Sequence, residues 1–297
     1  MRPLIIGHRG ACGYAPENTL ASAALAHAQG ADLIELDVIL SRDGELVVCH
    51  DLHLDDLTDI AGRFPGRTRV DGLTYVLDLD WSELRTLQIG PRRDGTPAPR
   101  VYPFQPLATL DQHLDQLATL NRSTGRRVEL YLELKSPGWH AAAGRDLCSA
   151  ALARLARHRL IRATDPVIIE SFDPTVLHQL RFDFKTPLRL TQLLGENSWH
   201  EASCDYDAMR TAAGLRAIAG YASAVAINLE RVLASPAFVR TAHAVGLAVH
   251  AYTFRTDALP PGFATTKETW DALIATGLDG IFTDQPDLAA HGCLGME

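Results

Sequence analysis

Long apolar runs are scarce in this 297-residue chain, and none approaches the roughly 18 residues that a membrane span requires. An excess of basic charge is also missing. Lys and Arg total 28 against 36 Asp and Glu, a net charge of −8, and there is no basic tail. That excludes a protein whose affinity rests on neutralising nucleic-acid phosphates. Cysteine is sparse: Cys12, Cys49, Cys148, Cys204 and Cys293 are odd in number and scattered, with no CxxC pair. A disulfide framework and a zinc site are thereby excluded, and buried small thiols are expected. The opening Met1-Arg2-Pro3-Leu4-Ile5-Ile6-Gly7 carries one basic residue and a very short apolar run, unlike a signal peptide. The expectation is a cytoplasmic protein, or a periplasmic or secreted one if a leader has been removed. Internal repeats and low-complexity tracts are absent as well.

What is present is an ordinary globular composition, 46% apolar and 22% charged, which rules out wholesale disorder. A chain of this length buries roughly three quarters of its unfolded surface. Short β-rich runs alternate with helical patterns. Strands are expected at 4–7, 33–38, 128–134, 167–171, 188–193, 224–228, 247–253 and 280–283. Helices are expected at 19–29, 110–123, 141–158, 174–182, 206–213, 236–245, 267–275 and 286–291. This alternation predicts an α/β chain folded as a (β/α)8 TIM barrel. Asn18 or Thr19, Asp173-Pro174 and Ser235-Pro236 offer helix starts. Gly30, Gly214, Gly246 and Gly277 offer left-handed stops. The alternation breaks once. Residues 51–106 hold Pro- and Gly-rich pieces and one short helix near 81–87, so they are read as a small insertion module on the active-site side, after strand 2. The barrel domain then comprises 1–50 and 107–297.

Active sites of such barrels lie at the C-terminal strand ends. Strand 1 ends in His8-Arg9-Gly10, strand 2 carries Glu35-Leu36-Asp37, and strand 3 carries Glu133-Leu134-Lys135. Residues two apart share a face of a strand, so Glu35, Asp37, Glu133 and Lys135 point inwards while Ile34, Leu36, Leu132 and Leu134 pack against helices. One such acid alone would suggest an ion pair. Three in one mouth repel each other unless a cation lies among them, and an all-oxygen set suits calcium or magnesium. Arg42-Asp43-Gly44 reads as a hairpin turn that returns His50-Asp51 to the mouth. Most of the twelve histidines lie on or beside helices, and His250 reads as a barrel-layer residue. His8 and His50 stand out at strand ends beside ionic groups. Two imidazoles, a hard cation, Arg9 and Lys135 are what phosphodiester cleavage needs. The cation, Arg9 and Lys135 outweigh the three carboxylates by one charge, so a monoanionic diester is attracted despite the global −8.

The motifs His8-Arg9-Gly10, Pro16-Glu17-Asn18-Thr19, Glu35-Leu36-Asp37-Val38, His50-Asp51, Glu133-Leu134-Lys135, Ser171-Phe172-Asp173 and Asp279–Pro286 resemble the glycerophosphodiester phosphodiesterases, in that family's order and over nearly the whole chain. Arg63-Phe64-Pro65, Tyr75-Val76-Leu77-Asp78, Asn121–Gly125 and Tyr252-Thr253-Phe254-Arg255 followed by Pro260 are most similar to the bacterial periplasmic-type subgroup. The resemblance implies Glu35, Asp37 and Glu133 as metal ligands, with calcium the usual ion of that subgroup. It implies His8 and His50 as the acid–base pair, Arg9 and Lys135 on phosphate, and Glu17 as support near the metal or Arg9. The reaction implied is hydrolysis of a small-molecule glycerophosphodiester, such as glycerophosphocholine or glycerophosphoethanolamine, to sn-glycerol 3-phosphate and an alcohol. The order of attack and the division of acid and base roles stay open. Tyr252, with Phe172 and Phe254, is a candidate lining of the substrate pocket. Asp284 is a candidate to orient His8 or Arg9 or to touch substrate. Gln192, Trp81 and Tyr102 are weaker candidates. The competing readings are a lysophospholipase D or other phospholipase of the same barrel type, and a non-catalytic binder of glycerophosphodiesters. The first needs a hydrophobic approach surface, and the second would have lost a histidine or a carboxylate.

Overall fold

The computed structural model describes residues 2–90, 92 and 104–292; Tyr102 and Cys293 lie outside them. Eight parallel strands close into a barrel: Leu4–Gly7, Leu33–Leu40, Glu129–Leu134, Val167–Ser171, Arg189–Leu194, Ala224–Asn228, Ala248–Phe254 and Gly280–Thr283. The first pairs with both the second and the last, which completes the closure. The eight expected strands are thus all present, shifted by a residue or two at some ends. The second runs two residues longer than expected, because Val38, Ile39 and Leu40 pair antiparallel with Val48, Val47 and Leu46 of the hairpin return. Ala108–Thr109 pairs on the far side of that return.

The period-two pattern places the core in two layers. Outward-facing Ile34, Leu36, Val38, Leu130, Leu132 and Leu134 pack against the helices. Inward-facing Ile6, Leu33, Tyr131, Ile168, Leu193 and Phe282 fill the barrel. His250 belongs to this interior, as expected. It is buried, and its Nδ1 lies 2.9 Å from the Tyr131 hydroxyl. A Cβ at Gly280 would approach the His250 ring to 2.8 Å, so only glycine leaves room for it on the last strand. A third apolar cluster, including Leu54, Leu57, Val76, Leu84 and Ile89, packs on Ile39 and Val47 of the hairpin. The short helix there is Trp81–Leu84, closed by a capping box between Asp80 and Glu83.

Several helices differ from expectation for local reasons. The stretch 141–158 is two helices, Pro137–Ala142 and Leu147–Arg157. Left-handed Gly144 ends the first, and Asp146 caps the second. The stretch 206–213 is Tyr206–Met209 followed by Ala212–Ile218, the latter capped by Thr211. Gly214 lies inside this second helix and is no left-handed stop; a Cβ there would sit 2.4 Å from the Ala208 carbonyl, so glycine permits the two short helices to touch. Gly30, Gly246 and Gly277 do take positive φ. Thr19, not Asn18, caps its helix. Pro236, not Ser235, holds the cap position of Ala237–His243. The helix Leu229–Ala234, capped by Asn228, carried no recognised signal. Among the described residues, no helix is long and apolar enough to cross a membrane.

Candidate active site

The barrel mouth collects charged groups from the ends of the first four strands and the hairpin. Glu35, Asp37 and Glu133 point inwards from adjacent strands in register, with Asp37 paired to Glu133. One oxygen of each lies within 4.8 Å of the others, and all three residues are buried. Burial and the neighbouring Asp37 and Glu133 push the Glu35 carboxyl well above its ordinary range. Glu133 is pushed up to about 8 by burial and by Asp37, against the pull of Lys135. Asp37 behaves oppositely: burial would raise it, but His50, Arg9, Lys135 and an Asn18 hydrogen bond hold it low. Asp37 Oδ1 is buried without a hydrogen-bond partner among the described residues. Three crowded carboxyls and an orphaned oxygen fit a hard divalent cation by their donor chemistry.

Arg9 takes a left-handed backbone, φ 50°, and turns its N–H onto Glu35 Oε2 at 2.7 Å. Its guanidinium lies 2.9 Å from Glu17 and 3.6 Å from Asp37. Glu17 therefore sits with Arg9 rather than in the carboxylate triad. Asn18, also left-handed at φ 58°, donates to Asp37 Oδ2 at 2.8 Å and accepts from the Asp37 N–H at 3.2 Å. Lys135 Nζ lies 2.9 Å from Glu133 and 3.2 Å from His50 Nε2.

The two histidines are built alike. His8 Nδ1 is 2.7 Å from Asp284, and His50 Nδ1 is 2.6 Å from Asp51. Asp284 is held low, against its burial, by its bond to His8 and by Arg255. Asp51 is likewise held low, against its burial, by His50 and Arg92. Ionised carboxylates only accept, so each Nδ1 carries the proton and each Nε2 is left for other work. Burial, then Arg9 and Lys135, pull His50 down to about 4, so its imidazole is neutral at pH 7. Asp284 also meets Arg255 at 3.1 Å, so its contacts are with His8 and Arg255 rather than Arg9.

Two cavities meet at His8, Arg9 and His50. One, about 210 Å³, is lined by Glu35, Glu133, Lys135, Glu170, Phe172 and Tyr252 among others. The other, about 390 Å³, includes Glu17, Asp51, Arg92, Arg255, Asp257 and Asp284. Tyr252 offers its ring to the smaller cavity, while its hydroxyl donates to the Leu194 carbonyl at 2.8 Å. Phe172 joins it edge-on at 6.1 Å. Phe254 lines neither of these cavities: it is fully buried against Trp270 in the outer layer, because the strand bulges between Ala251 and Phe254. Gln192 is likewise structural, its amide bonded to Tyr221 and to strand-end carbonyls. Trp81 packs on the hairpin cluster, and Leu57, Gly90 and Arg92 reach the cavity instead.

Three residues of the mouth were missed in the sequence. Arg92 clamps Glu17 at 2.6 Å and Asp51 at 2.7 Å, and the sequence around it has no periodicity to mark it. Asn18 was read as a possible cap and as part of the Pro16–Thr19 motif, with no role in the site. Glu170 shares the inward face with Ile168, and an acid within Val167-Ile168-Ile169 was the available signal. It is 1% exposed, and Oε2 has no hydrogen-bond partner among the described residues. Burial and the nearby Glu133, Glu35 and Asp37 push its carboxyl well up.

A sequence model of the glycerophosphoryl diester phosphodiesterase family matches residues 8–288. The chain is 34% identical over 331 aligned positions to a glycerophosphodiester phosphodiesterase of Haemophilus influenzae, covering 99% of this chain and 90% of that one. A solved structure from Silicibacter pomeroyi, assigned provisionally to the same family, is 27% identical with a TM-score of 0.76 and covers 98% of this chain and 94% of that one. An Oleispira antarctica phosphodiesterase, solved with the product sn-glycerol-3-phosphate, shares the fold at 22% identity, with a TM-score of 0.69 and coverage of 98% and 97%. The chain belongs to the glycerophosphoryl diester phosphodiesterase family and is a hydrolase of that type.

Proposed function

We propose that this member of the glycerophosphoryl diester phosphodiesterase family hydrolyses glycerophosphocholine, glycerophosphoethanolamine and related diesters to sn-glycerol 3-phosphate and an alcohol. The observation that carries the reading is the pair of imidazoles, each aligned by its own carboxylate, linked through Arg9 and Lys135 to the buried carboxylate triad. Glu35, Asp37 and Glu133 would hold one divalent cation, calcium first and magnesium as the alternative. When bound, the cation polarises a non-bridging phosphate oxygen and offsets the charge that grows in the transition state.

The chain's own residues do the rest. The Arg9 Nε–H, which has no hydrogen-bond partner among the described residues, and the Lys135 ammonium receive the phosphate oxygens. An arriving anion competes with His50 Nε2 for the ammonium and frees that nitrogen. One imidazole, neutral, then takes at Nε2 the proton of the attacking water or hydroxyl. The other, carrying a proton on both nitrogens, gives its Nε2 proton to the departing alkoxide. Where the glycerol hydroxyl attacks first, the pair in reversed roles lets water open the cyclic phosphate. Asp51 and Asp284 hold the Nδ1 proton on both rings, so the transferred protons move at Nε2. Glu17 and Arg92 brace Arg9 and Asp51 from behind. The phosphate lies where the two cavities meet, with one ester arm in each. The smaller, aromatic-walled cavity takes glycerol, and the larger polar one takes the varied alcohol. The 51–106 insertion completes this second side through Leu57 and Arg92.

The test is release of sn-glycerol 3-phosphate from glycerophosphocholine after EDTA treatment, with calcium or magnesium added back. Activity is expected to vanish with EDTA and return with calcium. Failure with both ions, alongside cleavage of a lysophospholipid, would replace this reading by the phospholipase one.

A further inference from the structure

We propose that Glu170 is the residue that recognises the glycerol hydroxyls, a specificity determinant separate from the metal triad. The inference rests on the reading above, that the glycerol arm occupies the smaller cavity. A buried carboxyl without partners is costly, and such groups persist where something supplies the missing hydrogen bonds. Glu170 is such a group. It stands on the fourth barrel strand beside Glu133, is 1% exposed, and leaves Oε2 unpaired at the wall of the 210 Å³ cavity.

Its surroundings decide what the partner is. Glu35, Asp37 and Glu133 form a ligand group by themselves, and Glu170 is not part of it. Lys135 is engaged by Glu133 and His50. The other walls are Phe172, Leu193, Trp199, Phe282 and the ring of Tyr252, whose hydroxyl is committed to the Leu194 carbonyl, with Thr253 and Glu201 at the side. A ligand entering this cavity beyond the phosphate therefore meets apolar faces and two carboxyls: Glu201, which is partly exposed and 4.0 Å from Lys135, and Glu170, which is buried and unpaired among the described residues. Glycerol matches that set. Its two free hydroxyls sit on neighbouring carbons and can share the two oxygens of one carboxyl, while its C–H edges lie against the rings. A simple alkyl ester would leave Glu170 unpaired, and discrimination against such analogues is strongest where a site's polar group is so stranded.

The experiment compares the calcium-loaded wild type with the isosteric Glu170→Gln variant. The substrates are glycerophosphocholine and bis(4-nitrophenyl) phosphate, a diester without glycerol. Replacing one carboxyl oxygen by an amide NH2, which cannot accept from a glycerol hydroxyl, predicts a fall of about tenfold in kcat/KM for glycerophosphocholine, expressed in KM. The hydroxyl-free diester should change by less than about twofold, and calorimetric calcium affinity should hold. An equal fall on both substrates, a loss of calcium affinity, or no change on either would overturn the proposal. A second measurement needs no variant: sn-glycerol 3-phosphate should inhibit the wild type about tenfold more tightly than propyl phosphate, which lacks the hydroxyls. Equal inhibition by the two would overturn the assignment of Glu170 and leave the proposed reaction standing. A wild type that cleaves other diesters but not glycerophosphocholine would remove the functional reading, and this inference with it.

Discussion

Removing one imidazole tests the chemistry with the least disturbance to the rest of the protein. His50 is partly exposed at the mouth and contributes nothing to the apolar core. His50→Ala is therefore expected to lower kcat by roughly 10²–10⁴-fold with an unchanged thermal unfolding midpoint; turnover near the wild-type rate would remove His50 from the mechanism. Asn18 has a different burden. Its amide ties the triad's Asp37 from both sides, at a left-handed backbone position. Asn18→Gly keeps that backbone accessible and deletes only the amide. It is expected to weaken calcium binding by roughly 10–100-fold, the usual cost of losing a group that orients a ligand, as read by calorimetry. The inward acids were legible because strand parity assigns faces without any knowledge of the fold. The pairings of Asp284 with His8 and of Arg92 with Glu17 were not, since they join residues 276 and 75 positions apart.

Strands were more legible than helices. A strand inside a barrel must alternate, and a residue out of phase would put an acid in the outer apolar layer. Helix ends depend on single residues such as Gly144 and Thr211, whose effect is visible only when the next turn is already placed. One helix-to-helix tie offers a pH test. Asp111, in the first turn of Leu110–Thr124, accepts from Arg154 and bonds His158 at 2.7 Å at the end of Leu147–Arg157. Against a burial effect that would raise it, His158 and Arg154 hold Asp111 below its ordinary value. A carboxyl held low in the fold stabilises above its unfolded pKa and loses that contribution as pH falls through the folded one. Asp111→Asn should thus lower the urea midpoint at pH 7, and the gap to the wild type should close as pH falls below about 4. A gap that stays constant down to pH 3 would deny the ion pair its role.

At the scale of the whole molecule, barrel closure gathers three buried carboxylates that repel one another. Binding a cation there relieves the repulsion only in the folded state. Calcium at a hundredfold excess over its Kd should therefore stabilise the protein by about 2.7 kcal/mol, seen as a higher unfolding midpoint that EDTA reverses. Glu35→Gln should reduce that increment, and an undiminished shift would remove Glu35 from the ligand set. The same closure brings the hairpin return and Arg92 against the first strand's end, where the two cavities meet.

The amino-acid sequence by itself determined the eight-strand alternation, the inward face of Glu35, Asp37 and Glu133, and the delivery of His8 and His50 to one end of the barrel. These follow from short-range periodicity and turn chemistry, which act within a few residues. Only the tertiary structure decided which carboxylate orients which histidine and that Glu17 braces Arg9. It also decided that Phe254 faces outwards while Glu170 stands unpaired inside. Those outcomes depend on side chains from distant segments competing for the same few ångströms, and that competition exists only once the barrel has closed.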